Sequence, residues 1–537
     1  MFKYLFFLIS YLCVSFCFSV EYTKQLSLEE KVGQLLIVHF QGESVNPDAK
    51  ILVQQIKVGG IIYYNWSNGL TSPIQVQTLS TGLQKLAQEN PLSIPLFIST
   101  DQEGGIVSRL SKGFTHFAGN RALGITQQPE LAYLSALAMG NEMKAAGVNL
   151  NFAPVVDVNC NPFNPIIGVR AFSDDVNEVI SFAEKALQGY IQAHLMTTLK
   201  HFPGHGDVAV DSHQDLPVLQ KSVEQLRQLE LLPFEKLASS ADLIMTAHIL
   251  VPAFDANNCA TLSKKTLDYL KNELDFKGLI ISDSLVMEGV LKKCQTVDEA
   301  AIQAFNAGCD ILLLGGRQLN GMNKETELDV KDIQRIHTSI VDAVKSGRIS
   351  QKKVDEAVEK ILALKNKFLL EQGADIPLST IRCEDHCKLA KQVAEKALQI
   401  LQNDSQNCLF LADKKIQIIA PHVLKTALEE TSLLSLGKSS QVYYFQDLGP
   451  KENENTNALH LNNEADVTII CTYNAWKNPA QTSLIQKLLE SKKPVILLIT
   501  RDSVDSTLFP KATLMIHTSN PTAISLQAVA DFLKNNY

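Results

Sequence analysis

At 537 residues, with 45% hydrophobic and 20% charged side chains, the chain can bury a substantial core but is too long for one ordinary domain, so two are expected. Its net charge of −8 and the absence of a long basic run exclude the electrostatic footprint of a nucleic-acid binder or of a protein held on an anionic membrane. A small neutral or modestly charged substrate fits better.

In chain order, the first feature is Met1-Phe2-Lys3, then an apolar run from Leu5 to Phe18 and a small residue, Ser19. This is the pattern of a secretory leader over residues 1–19, with a mature chain starting near Val20 in a periplasmic or extracellular compartment. The run is short for a spanning helix, which needs about 20 apolar residues; an uncleaved anchor beginning at Tyr4 is the alternative. Phe16 before Cys17 is not the small residue that a lipid-modified cysteine would follow. Cleavage would also remove Cys13, leaving eight cysteines scattered from Cys160 to Cys471 without a framework spacing. Export permits disulfides, but the sequence assigns none.

Between residues 34 and 316 short apolar runs alternate with longer stretches of helical periodicity, the rhythm of repeated βα units. Eight runs are strand-like: Gln34 to Phe40, Val58 to Tyr64, Pro95 to Thr100, Val148 to Phe152, Met196 to Lys200, Asp242 to Thr246, Gly278 to Ser282 and Asp310 to Leu314. The expected fold class is α/β, a (β/α)8 TIM-type barrel over residues 20–372, with an open doubly wound sheet as the alternative. Barrel active sites are assembled from loops at the C-terminal strand ends, and Asp101, Lys200, His201, His248 and Asp283 all fall there.

Helical periodicity from Lys353 to Leu370 is broken by Gly373 and Pro377, which places a linker at 373–385. The group Cys383, His386, Cys387 lies on one helical face but lacks a fourth metal ligand, so a helix start is the expected reading. Residues 386–537 are expected to form a smaller α/β sandwich. Its strands are read at Ile416 to Ala420, Val467 to Cys471, Pro494 to Thr500 and Ala512 to His517, and Cys387 to Leu401 reads as helix. The asparagine-rich stretch from Lys451 to Glu464 reads as a surface loop.

The densest chemistry is Lys200-His201-Phe202-Pro203-Gly204-His205-Gly206-Asp207, followed by Asp211-Ser212-His213. Glycines and a proline directly after a strand make a constrained loop that positions titratable groups. Asp211 and His213 are two apart, so in extended chain they project to the same side. The carboxylate can then orient the imidazole and raise its basicity, which suits proton transfer. For His205 and Asp207, an internal network fixing the turn is an equal alternative. A metal-dependent hydrolase would draw on His201, His205, His213 and His248 with Asp207 and Asp211, but no spacing matches a compact zinc motif. No metal and no cofactor is therefore expected.

At Ile280-Ile281-Ser282-Asp283-Ser284 an apolar strand ends in a carboxylate. A retaining glycosidase needs such an acid to attack the anomeric carbon and a second group to protonate the departing oxygen. A helix N-cap is the bland alternative. Asp101 to Gly105, with Arg109, and the later Arg170 offer carboxylate and guanidinium groups suited to sugar hydroxyls.

KHFPGHG at Lys200 to Gly206, DSHQDLP at Asp211 to Pro217, MTAH at Met245 to His248 and ATLS at Ala260 to Ser263 together resemble glycoside hydrolase family 3, in its bacterial β-N-acetylglucosaminidase branch. The resemblance implies Asp283 as nucleophile and His213, assisted by Asp211, as acid/base. It implies Asp101, Arg109, Arg170, Lys200 and His201 as the residues that hold the terminal sugar. N-acetylglucosamine-containing saccharides or muropeptides are the implied substrates; a β-glucosidase, a phosphorylase of the same family or a silent sugar-binding protein are the rivals. Ile106, where relatives commonly have arginine, and Ser284, where they often have aspartate or alanine, depart from the pattern without replacing a catalytic group. The implied second domain receives no catalytic residue, and the oligomeric state is left open.

Overall fold

The structure is a computed structural model and describes residues 20–210, 216–320, 324–370, 376–404, 409–447, 449–491 and 493–537. The leader segment 1–19 and the pair Asp211 and His213 lie outside the described residues.

Eight strands form one parallel sheet: β1 (Leu36–Val38), β2 (Gly60–Ile62), β3 (Phe97–Thr100), β4 (Leu150–Asn151), β5 (Met196–Phe202), β6 (Leu243–Thr246), β7 (Leu279–Ile281) and β8 (Leu312–Leu314). Each pairs with its neighbours in chain order, and β8 returns to β1 with Leu36 opposite Leu312. A bridge from Ile281 to Ile311 brings β7 and β8 together, so the ring is nearly closed. Every expected strand run coincides with one of these strands, β5 running on past the expected Lys200 to Phe202. They read as unbroken apolar runs because all eight are buried along their whole length.

The helices cover the outside of the ring and start where local chemistry directs. Ser27 and Glu30 form a reciprocal capping box, and Asp329 caps the helix Val330–Lys345. In that helix Val330, Ile333, Ile336, Ile340 and Val344 are buried, the three-to-four spacing that lays one apolar stripe on the barrel.

A second sheet follows: β9 (Gln399–Asn403), β10 (Lys415–Pro421), β11 (Ser439–Phe445), β12 (Val467–Thr472), β13 (Val495–Ile499) and β14 (Leu514–His517), in the order β9-β14-β13-β12-β10-β11. All its pairings are parallel except β9 with β14. Ile416 and Ile418 face one apolar cluster and Ile419 the other, so both faces are covered, as the sandwich expectation requires.

Three local readings are corrected. Residues expected to stay helical to Leu401 leave the helix Glu384–Lys396 early, and Gln399–Asn403 becomes an edge strand. The strand Ser439–Phe445 was not expected at all. Its polar start and half-buried side chains carry little pattern, yet it pairs with β10 over seven positions. The asparagine-rich stretch is the helix Glu452–Glu464, which buries Ala458 and Asn462. No helix among the described residues is long and apolar enough to cross a membrane.

Candidate active site

The C-terminal ends of the barrel strands open into a cavity of about 310 Å³. Tyr64 and Trp66 reach it after β2, Asp101, Glu103 and Arg109 after β3, and Arg170 after β4. Lys200 and His201 come from the end of β5 and His205 from the loop after it, Asp283 follows β7 and Arg317 follows β8. Thus Asp101, Arg109, Arg170, Lys200, His201 and Asp283, separated widely in sequence, line one space. A larger groove of about 990 Å³ runs between Ser111–His116, the helix Glu384–Lys396 and residues 521–531, but no comparable set of buried charges converges there.

Glu103 organises the positive charges. Its Oε2 accepts from Arg170 Nε at 2.9 Å, and its Oε1 accepts from Arg170 Nη2 at 2.8 Å and Lys200 Nζ at 2.6 Å. Lys200 Nζ also donates to Asp101 Oδ1 at 2.9 Å. Burial alone would raise the Glu103 carboxyl, but the Arg170 and Lys200 cations outweigh it and hold its pKa well below the usual carboxylate range. The same carboxylates, Asp101 first, keep the buried Lys200 ammonium charged against desolvation. Glu103 is 1% exposed and Asp101 17%, so Glu103 is the internal brace and Asp101 the acid presented to the cleft.

His201 is fixed from behind. Its Nδ1 donates to Asp157 Oδ2 at 2.7 Å, and Arg170 Nη2 lies 3.3 Å from its Nε2. With Nδ1 protonated, Nε2 is the acceptor that the guanidinium needs. Asp157 Oδ1 also accepts from the His201 and His205 amides at 3.2 and 2.7 Å. Burial would raise this carboxyl, but the two histidines prevail and lower it. His205 itself is pushed down to about 4, first by burial and then by His201.

At the rim, Tyr64 and Trp66 stack at 4.1 Å. The Arg109 guanidinium lies 5.7 Å from both rings, and Arg317 lies 4.9 Å from Trp66. These cation–π contacts hold two long side chains at the mouth.

Asp283 sits in a turn tied on several sides. Its Oδ1 accepts from Ser284 N at 2.7 Å, and its own N–H points to Thr246 Oγ1 at 3.4 Å. His248 Nε2 lies 2.8 Å from the Ser284 carbonyl and Nδ1 2.8 Å from Thr261 Oγ1, and Ser284 Oγ donates to the Gly315 carbonyl. His248 is therefore a buried support beneath the turn that carries Asp283.

Other candidates find structural partners. His386 Nδ1 lies 2.7 Å from Glu142 Oε1, and Cys383 is the residue before the helix. Lys221 Nζ reaches both Asp207 and Glu230, and these two carboxylates and the Cys160 thiol come within 4.8 Å of one another. That is the one such ligand group among the described residues, and it contains no histidine.

Glu103 lies in a motif that by itself gives it no role, and Asp157, Tyr64, Trp66 and Arg317 lie outside the motifs. Each follows a barrel strand, and that position was the signal available. The cavity as built offers fixed donors and acceptors for a polyhydroxy ring and one carboxylate at a strand end.

Residues 27–364 match the glycosyl hydrolase family 3 N-terminal domain. The chain is similar to β-hexosaminidase A of Pseudoalteromonas piscicida, 32% identical over 451 residues, which is 77% of this chain and 74% of that protein. It is also similar to the β-hexosaminidase of Xylella fastidiosa strain M12, 34% identical over 288 residues, or 52% of this chain and 83% of that one. Among solved structures it resembles a glycoside hydrolase family 3 β-N-acetylglucosaminidase from Paenibacillus sp. str. FPU-7. That match has a TM-score of 0.84 and 33% identity, and covers 95% of this chain and 97% of that one.

Proposed function

The chain belongs to glycosyl hydrolase family 3, and from that premise we propose that it is an exported, retaining, exo-acting β-N-acetylglucosaminidase that removes terminal N-acetylglucosamine from peptidoglycan-derived fragments. The observation that carries this reading is the cavity shared by Asp283 and the Asp101–Lys200–Glu103–Arg170 cluster.

In the proposed reaction Asp101 accepts from the sugar hydroxyls, while Lys200, Arg109 and Arg170 donate to its oxygens; His201, held by Asp157, completes the wall. An Asp283 oxygen attacks the anomeric carbon as the glycosidic bond breaks, and His213 gives its proton to the departing oxygen. Asp211 supports the imidazolium. A glycosyl ester on Asp283 results. His213, now neutral, takes a proton from water, whose oxygen attacks the anomeric carbon and frees the carboxylate, so the sugar leaves with its configuration retained. One aspartate suffices as nucleophile because a histidine performs the proton transfer.

Purified chain incubated with chromogenic N-acetylglucosaminide and glucoside, with and without phosphate, should release N-acetylglucosamine preferentially and without phosphate dependence. A sugar phosphate as product would replace hydrolysis with phosphorolysis. Asp283→Ala should lower turnover by about 10⁴-fold or more while the fold remains, and a 5-fluoro glycoside inactivator should add one sugar mass to the peptide carrying Asp283. Labelling at Asp101 instead would overturn the assignment. Export is tested by N-terminal sequencing of the secreted or periplasmic fraction, with a start near Val20 expected.

A further inference from the structure

Two side chains of the second domain reach into the barrel loops that hold the sugar-binding cluster. Asn520, just beyond β14, donates from Nδ2 to the Ala118 carbonyl at 2.7 Å. Its amide lies against Gly105, whose φ is +63°; a Cβ there would run into Asn520 Nδ2. Asp502, just beyond β13, occupies the same kind of gap at Gly168, with φ +44°, and accepts from the Val169 N–H. Only glycine adopts these backbone angles freely and also leaves room for the incoming polar group.

The positions of these contacts matter. Gly105 is two residues from Glu103, and Gly168 is two residues from Arg170, so the second domain grips both loops that meet in the bidentate pair. Asn120, at the start of the helix Asn120–Ile125, donates from Nδ2 to the Arg170 carbonyl at 2.8 Å, and its neighbour Gly119 packs against Gly105. Asp502 and Asn520 are 6% and 1% exposed; Asn520 Oδ1 has no hydrogen-bond partner among the described residues, and Asp502 Oδ2 has the Arg501 Nε at 3.7 Å. Burying acceptors so sparsely partnered is unfavourable. A surface that served only for adhesion would do better with apolar side chains, whereas these two make directional contacts at the base of each loop.

We propose that Asp502 and Asn520 are positioning residues through which the second domain sets the Glu103–Arg170 pair, and with it Lys200 and Asp101, for the terminal sugar. This rests on the reading of the cleft as a sugar site. The experiment uses the full chain and the variants Asp502→Ala, Asn520→Ala and Asp502→Asn, with two readouts: aryl N-acetylglucosaminide kinetics and amide hydrogen exchange. The alanine variants should raise KM about tenfold or more, with a smaller fall in kcat, as loss of a group that orients a binding residue does. Exchange should quicken in residues 101–109 and 164–171 but not in β1 to β8. Asp502→Asn keeps an acceptor for Val169 and should restore KM to within about twofold of the parent. A lowered melting temperature with unchanged KM and unchanged loop exchange would reduce both residues to structural contacts and overturn the proposal. If the parent chain fails to cleave, the hydrolase reading falls by itself, and loop exchange alone decides for or against the positioning role.

Discussion

At Glu103 three N–H donors from two cations converge on one buried carboxylate, so the charges of this cluster are fixed by the fold itself. The Glu103 carboxylate and the Arg170 and Lys200 cations hold one another charged in this way. Buried histidines respond to acid instead, two of them most strongly. His205 and His517 are each pushed down to about 4 from 6.5, chiefly by burial. A base whose folded pKa is depressed makes its full contribution above 6.5 and loses it as pH falls toward 4, because the unfolded chain takes up the proton first. Each is worth on the order of 3 kcal/mol over that window. Urea midpoints at pH 7, 5.5 and 4 should therefore fall steadily, and His517→Gln should make the fall shallower, with His39 and His337, also lowered by burial, adding to what remains. A pH slope that His517→Gln leaves unchanged would show that other groups control acid stability.

The helix Gln351–Lys365 ends on the opposite face of the barrel from the cleft. Lys365 Nζ donates to the Gly59 carbonyl at 2.8 Å and to Gln34 Oε1 at 2.9 Å, and lies 4.8 Å from the Phe97 ring. These partners stand at the N-terminal ends of β2, β1 and β3, so one side chain ties three strands to the outer helix. Burial pushes its ammonium down to about 7. Lys365→Ala should cost about 2–4 kcal/mol, from the cavity and two stranded acceptors, and should leave KM unchanged because that face of a barrel carries stability rather than chemistry. Chemical denaturation and steady-state kinetics on the same preparation check both halves. Sequence pattern failed where this kind of tertiary support replaces it. The helix Glu452–Glu464 has few apolar positions, and its Asn462 is held by Thr468 Oγ1 at 2.6 Å. β11 is an edge strand whose pairing with β10 supplies what its composition lacks.

Across the whole molecule, Glu142 joins the barrel to the start of the second domain. Its carboxylate accepts from Thr115 N at 2.9 Å, Thr115 Oγ1 at 2.6 Å and Arg382 N at 2.9 Å, and pairs with His386. Burial would raise this carboxyl, but the hydrogen bonds, His386 first, lower it. Glu142→Ala strands several buried donors and should cost about 3–5 kcal/mol. Scanning calorimetry should show the parent's transition moving down and separating into two as the domains uncouple. A single transition at the parent temperature would mean that the other contacts carry the joint.

The barrel and the positions of its chemistry-bearing strand ends are determined by the amino-acid sequence itself, because buried parallel strands must be continuously apolar and a polar residue at their end interrupts the run. Asp101, Lys200 and Asp283 could be read in that way. What only the tertiary structure decided is which groups brace them. Glu103 and Arg170 are 67 residues apart, Lys200 and Asp101 are 99, and Asn520 and Ala118 are 402. No local period records such pairs, since a carboxylate's burial, charge and partner are set by whatever the closed ring and the second sheet bring against it.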